Sequence, residues 1–437
     1  MSVTDTLVDF ITASPAPAPD DARIVELCLL DWASVTLAGR EEPVARIVRE
    51  RAAKEGGRAE AEVCGLAQRL PARAAALVNG VTSHALDYDD THFASLGHPS
   101  VTVIPAVVAL ADSAGASMHE VKQAVLIGAE VALRLGVWLG REHYRTGFHT
   151  TGTAGTFGAV AGAAKVMGLD RARTGMALGL AASLAGGVKA QFGTMAKPMH
   201  AGLAAAAGVD AARWVEAGLV AAEDGLESSQ GFAATHHAAG RKEAFEGIGQ
   251  NYLLPDISHK LHACCHGTHA MLEALGALRG QHNLTPENVV SVQICVHPQY
   301  LDICNIADPR IGLEAKFSFR QLAAMTIFGI STDRLDSFSD EVCQSLEMRA
   351  FRSRVEVCTD PSFCETSAQV VVETQDGGRH TGRHDLAEPV PMPEREQRLL
   401  AESAALIGKP RSRRLWSDIS GTMAGNDRSP GEILLGA

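Results

Sequence analysis

Over roughly its first 255 residues this chain repeats apolar side chains at the three- and four-residue spacing of an α-helix, and strand signals are scarce. Ala, Leu, Gly and Val dominate the stretch, which predicts an all-helical domain. Asp20 and Asp21 are expected to cap a helix through ARIVELCLLDWASVTLAG that stops at Gly39. His98-Pro99 is expected to open another, SVTVIPAVVALADSAG, ending near Gly115 and kinked or broken early at Pro105. MHEVKQAVLIGAEVALRLGVWLG and KPMHAGLAAAAGVDAARWVEAGL read as long amphipathic helices. In GTAGTFGAVAG, Gly152, Gly155, Gly158 and Gly162 recur every three or four residues. A phosphate loop would need a strand before it, and none precedes this segment; the spacing instead makes a smooth helix ridge that a second helix can approach closely.

After about residue 257 the period changes. NVVSVQICVHP alternates in twos, as a half-buried strand does, and SAQVVVETQDGGRHTGRHD reads as a hairpin turning at Asp-Gly-Gly. EAKFSFRQLAAMTIFGI between them predicts a helix, and EREQRLLAESAALIG another. The expected fold class is mainly α: a large all-helical domain over residues 1–256, rejoined by C-terminal helices within 394–437, and a smaller α+β domain over 257–393. The final GNDRSPGEILLGA is expected to be poorly ordered.

A length of 437 residues suits two domains, and 46% hydrophobic with 21% charged residues suits a soluble protein with a large core. The formal charge of −12 excludes a general nucleic-acid or anionic-membrane surface, so attraction for an anion must be local. No apolar run reaches the roughly 18 residues a membrane span needs. MSVTDTLVDFITAS lacks the basic and apolar regions of a signal peptide. Nine cysteines without such a signal read as reduced thiols in the cytoplasm.

Four clusters carry residues suited to chemistry. ALDYDDTHFASLGHP sets Asp87, Asp89, Asp90, Thr91, His92 and His98 within fifteen positions. It lacks the alternating oxygens, glycine and distal glutamate of a calcium loop, and the paired histidines of a zinc helix. A carboxylate at one helix end and an imidazole at the start of the next suit proton transfer better. His149 in YRTGFHTTG precedes the glycine ridge, at a helix N-terminus that favours an anion. Lys197 in QFGTMAKPMHAG is a cation in apolar surroundings, for which a substrate carboxylate would be the partner. HKLHACCHGTHAML holds His262, Cys264, Cys265, His266 and His269; on a helix the histidines would share a face. Zinc is one reading, but adjacent cysteines on a helix diverge by about 100°. The other reading is that these histidines, His269 among them, bind a carboxylate beside Lys260.

Together these segments resemble the MmgE/PrpD family, which includes 2-methylcitrate dehydratase, cis-aconitate decarboxylase and iminodisuccinate epimerase. The resemblance runs through TDTLVDFI, LLDWASVTLAG, HALDYDDTH, GHPSVTVIPAVVALAD, GFHTTGTAGTFGA, FGTMAKPMHAG, HACCHGTHA and EAKFSF. It implies a large helical domain with a smaller α+β lid, a homodimer, no metal or organic cofactor, and a small di- or tricarboxylate substrate. It also implies catalytic roles for Asp87, Thr91, His98, His149 and Lys197, with Lys260 binding substrate; His269 and Gln321 are expected to bind substrate too. The decarboxylase-like members carry a tyrosine where KFSFRQ places Gln321, and glutamine cannot donate a proton as a phenol does. The expected reaction is therefore dehydration, with epimerisation next and decarboxylation or zinc-dependent hydrolysis behind. His98 is the expected base, oriented by Asp87.

Overall fold

The computed structural model describes residues 2–421 and 428–436. It divides into two compact units, Met1–His259 with Leu399–Ala437, and Lys260–Arg398. The protein is mainly α, with a smaller α+β region.

In the first unit the helix Thr150–Val166 lies innermost: residues 150–164 are all buried. It packs against Met118–Thr146, Ser100–Ala114 and Ala196–Glu216, and its glycines explain how. A Cβ at Gly158 would lie 2.6 Å from the Gly128 carbonyl oxygen, and one at Gly162 would lie 2.7 Å from Val107 Cγ2. The ridge is thus a close-packing surface. Gly158→Ala is expected to destabilise the protein by about 1–3 kcal/mol through overpacking, read as a lowered thermal midpoint. An unchanged midpoint would contradict this account of the ridge.

Ser100–Ala114 runs on through Pro105 to Gly115, whose φ of 69° ends it. The break expected at the proline does not occur. Residues 100–112 are all buried, so packing holds the segment helical despite one lost hydrogen bond. The helix Pro19–Gly39 starts ahead of its expected caps: Ala18 is the N-cap, and Asp21 Oδ2 accepts from the Ala18 N–H at 3.2 Å. Met118–Thr146 opens on a Ser117–Glu120 capping box. Contrary to the sequence reading, it is long and apolar enough to cross a membrane. It nevertheless packs as a core helix, with its most apolar stretch 83% buried, and carries a buried Glu130–Arg134 pair at 2.6 Å.

The expected disorder of GNDRSPGEILLGA also fails over Pro430–Leu435, which is helical. Ser429 and Glu432 form a capping box, the Gly431 N–H donates to Asp112 Oδ1 at 2.8 Å, and Leu434 and Leu435 are buried. Residues 425–427 and 437 of that stretch lie outside the described residues.

The second unit holds a four-stranded sheet: β1 (Val289–Val296), β2 (Val355–Thr359), β3 (Ser367–Thr374) and β4 (Arg379–Asp385), in the order β2-β1-β3-β4. β1 pairs parallel with β2 and antiparallel with β3, and β3 and β4 form the hairpin. In β1, Val292, Ile294 and Val296 are buried while Gln293 is exposed, the alternation visible in the sequence. The helices His269–His282 and Phe319–Phe328 pack on the sheet. The second is shorter than EAKFSFRQLAAMTIFGI suggested, because Ser318 caps it by accepting from the Gln321 N–H at 3.2 Å.

Candidate active site

The helix Ala72–His84 ends with His84, and the chain turns at Asp87, whose φ of 52° lies in the left-handed region. Among side chains with a Cβ, aspartate is one of the few that tolerate it. The following loop is pinned at two places. Thr91 and Ser258 exchange backbone hydrogen bonds of 2.9 and 2.8 Å, and the His92 ring bonds the Leu253 carbonyl at 3.1 Å. His92 is therefore structural, and Thr91 is fixed by its backbone. Ser100 begins the next helix, two residues after His98.

This path gathers a chain of charged groups. Asp87 Oδ1 lies 2.8 Å from Lys197 Nζ and 3.8 Å from His98 Nε2. The other ring nitrogen of His98, Nδ1, lies 2.7 Å from Asp89 Oδ2. That is an ion-pair distance. Asp89 also takes His84 Nδ1, at 2.9 and 3.0 Å. The carboxylate that orients His98 through Nδ1 is thus Asp89; Asp87, expected in that role, pairs with Lys197. The His84 ring sits 4.7 Å from His98 and 6.1 Å from His149. His149 caps the Thr150 helix, and its Nδ1 meets His200 Nδ1 at 3.0 Å. Lys197 and His200 stand three residues apart in the Ala196–Glu216 helix, so both reach the same side.

Burial pulls Asp89 toward protonation, but the charges and hydrogen bonds of His84 and His98 outweigh it and hold the carboxyl far below its usual range. It stays a carboxylate; when the His98 ring is neutral, this favours the tautomer with hydrogen on Nδ1 and a lone pair on Nε2. His149 is held far below the ordinary histidine range by burial, then by the charges of His84, Lys197, His98 and His200. His200 is lowered by burial, His84 and Lys197. Two neutral rings suit the contact at 3.0 Å, where one Nδ1 must donate and the other accept.

A second layer lies behind this one. Ser100 Oγ donates a short hydrogen bond to Asp90 Oδ2, and the Asp90 N–H donates to Asp31 Oδ2 at 3.2 Å. Burial pushes Asp90 up to about 7; the Ser100 hydroxyl opposes this and the Asp89 charge adds to it. A carboxyl raised in the folded state binds its proton more tightly there than in the unfolded chain, where its value is about 3.9. The stability it contributes is full below pH 4 and is lost as pH rises through 7. Asp90→Asn is therefore expected to melt with a smaller loss of thermal midpoint between pH 5 and 8 than the natural protein. An identical slope would show that Asp90 does not carry it.

Among the described residues, two groups have ligand atoms close enough to hold a metal ion, within 4.8 Å of one another in each: His84, Asp87, Asp89 and His98, and Cys28, Asp90 and His259. In the first, the Lys197 ammonium on Asp87 would repel a cation. In the second, Asp90 is already bonded by Ser100.

In the smaller unit, Lys260 and His269 are buried. Burial and the charges of His266, His262 and Lys260 keep His269 well below the ordinary range, so it is neutral. The HKLHACCHGTHAML segment is not the continuous helix that a shared histidine face required. A short 3-10 turn spans His266–Thr268, and the α-helix begins at His269. His262 Nδ1 bonds Thr332 Oγ1 at 2.7 Å, its Nε2 lies 3.3 Å from Glu273 Oε1, and Cys264 Sγ meets Thr268 Oγ1 at 3.2 Å. Among the described residues this segment supplies no metal-holding group. Gln321 is wholly buried, and its Oε1 accepts from Arg352 Nε at 2.7 Å.

The structure thus joins Asp87, His98, Lys197 and His149 in one unit, with Thr91 in the same loop. Three partners that the sequence reading did not assign complete the set: His84, Asp89 and His200. Asp89 was visible only as one of three neighbouring aspartates. His200, three residues after Lys197, had a readable helical spacing.

Comparison with known proteins agrees with the motifs. The MmgE/PrpD N-terminal domain matches residues 6–243, and the MmgE/PrpD C-terminal domain matches 262–400. A human (Homo sapiens) protein named cis-aconitate decarboxylase is 30% identical over 334 residues, 72% of this chain and 68% of its own. The mouse (Mus musculus) protein of that name is 28% identical over the same shares. One from Aspergillus terreus is 25% identical over 399 residues, 84% of this chain and 81% of its own. With both domains matched in order along the sequence, the chain belongs to the MmgE/PrpD family.

Proposed function

We propose that this protein is a lyase acting on a small di- or tricarboxylate by moving a proton at the carbon next to a carboxylate. The observation that carries the reading is His98, held by Asp89 at Nδ1 while Nε2 faces the Asp87–Lys197 pair. A proton on such a carbon is very weakly acidic, so its removal leaves an enolate-like charge that needs fixed cations and hydrogen bonds. His98 Nε2 takes the proton. Lys197 supplies the positive charge, and neutral His149 and Thr91 supply hydrogen bonds. The enzyme acts as a homodimer in the cytoplasm, without a metal.

Within this chemistry we take dehydration as the reaction, because this chain has Gln321 where the family resemblance implies a phenol for decarboxylation. A second reading, decarboxylation of cis-aconitate, is favoured by the names of the relatives. Both pass through a carbanion beside a carboxylate, which His98 can make or quench.

Proton NMR in D₂O with separate 2-methylcitrate, cis-aconitate and iminodisuccinate samples tests the proposal. Alkene formation from 2-methylcitrate is the expected result, and loss of a carboxyl group from cis-aconitate would select the second reading. Deuterium entry without elimination would make the protein an epimerase. No change in any sample would overturn the choice of these acids. Stoichiometric zinc required for turnover, in protein purified without an affinity tag, would replace proton transfer with metal chemistry.

A further inference from the structure

The smaller unit carries two cysteines that the chemistry above does not use. Cys295 in β1 and Cys358 in β2 are direct partners in the parallel ladder. Neighbouring strands lie about 4.8 Å apart, inside the roughly 4.4–6.8 Å between Cα atoms that a disulfide bridges. Partnered residues point to the same face of a sheet, and a second contact locates that face. Two positions earlier on both strands, Gln293 Nε2 donates to Glu356 Oε2 at 3.5 Å, and both of those residues are exposed. Ile294 and Val296, on either side of Cys295, are buried on the opposite face. The Cys358 thiol leans across the gap and donates to the Ile294 carbonyl at 3.4 Å. Both cysteines are part-exposed, whereas Cys28, Cys64, Cys264, Cys304 and Cys343 are buried.

We propose that Cys295 and Cys358 are a redox-modification site, closing to a reversible disulfide between β1 and β2 when a low-molecular-weight disulfide such as glutathione disulfide is present. The Cys295 thiolate attacks one sulfur of glutathione disulfide; that S–S bond breaks, and one glutathione leaves and takes up a proton. The Cys358 thiol then loses its proton and attacks the Cys295 sulfur, forming the protein disulfide and expelling the second glutathione. Two protein thiols are oxidised and one glutathione disulfide is reduced to two thiols. Burial, then the thiol contact with Cys295, pushes Cys358 up to about 12. Cys358 is thereby held as the thiol, which suits Cys295 to the attacking role and Cys358 to the resolving one.

The physical consequence is local. β2 is an edge strand whose single neighbour in the sheet is β1. A bond there fastens the edge and closes a loop of roughly 60 residues, which restricts the unfolded chain. The oxidised protein is expected to melt several degrees higher than the reduced one.

The experiment is peptide mapping of the full-length protein after incubation with glutathione disulfide, alkylation and digestion without reductant. The expected result is a linked pair of peptides containing Cys295 and Cys358, the loss of two alkylatable thiols, and full recovery of both with dithiothreitol. In Cys358→Ser a single glutathione should persist on Cys295. Unlinked glutathione on either residue of the natural protein, a link from either to the exposed Cys364, or retention of both thiols would overturn the proposal. The measurement on the natural protein decides the matter even if the variant folds poorly.

Discussion

Turnover by His98→Gln is expected to be about 10²–10⁴-fold below that of the natural protein, the usual contribution of a positioned acid or base. Glutamine fills much of the same space and can still meet the Asp89 carboxylate, but it cannot take a proton from carbon and return it. The loss should lie in kcat, because the step removed belongs to the transition state and not to binding. Steady-state kinetics on matched, folded samples measures this. If His98→Gln and Asp87→Asn both turn over at nearly the natural rate, the base lies elsewhere and the assignment fails.

The second large effect is expected from Asp89→Asn, again a fall of about 10²–10⁴-fold in kcat. Asp89 is a positioning residue: it lies 2.7 Å from His98 Nδ1 and accepts from His84 at 2.9 Å. An amide in its place no longer dictates which ring nitrogen carries hydrogen, so Nε2 loses its lone pair in part of the molecules. Asp89→Glu, which keeps the charge, should recover more activity than Asp89→Asn. If the role were purely structural, the activities of the two variants would instead follow their thermal midpoints, whichever carries the charge. Equal activity of both variants would show that the charge on Nδ1 is not what matters.

Much of this protein was legible in the chain because its periods are long and consistent. Helical repeats such as MHEVKQAVLIGAEVALRLGVWLG, the alternation of NVVSVQICVHP and the Asp-Gly-Gly turn each needed only local physics. The misses have physical causes. β2 is five residues long, half-buried along most of its length, and depends on β1 for its ladder. Pro105 stays helical because every neighbour is buried, a tertiary effect that overrides local preference. Pro430–Leu435 reads as a tail by its position, although SPGE carries a capping box, and its burial against Asp112 is visible only in three dimensions.

The site divides the same way. Asp87, Thr91, His98, His149 and Lys197 were named from motifs, but their wiring was not. His84 closes a helix and reads as one more residue of an apolar run. Only the turn at Asp87, with its positive φ, brings Asp89 back under both His84 and His98.

The central claim is that His98 moves a proton at a carbon beside a carboxylate. The most direct measurement is the entry of solvent deuterium at that carbon, followed by NMR for the natural protein and for His98→Gln with whichever acid is turned over. The account predicts entry at the α-carbon in the natural protein and a fall in His98→Gln by the same factor as turnover. Deuterium entry undiminished in His98→Gln would contradict it and would place the base on another residue.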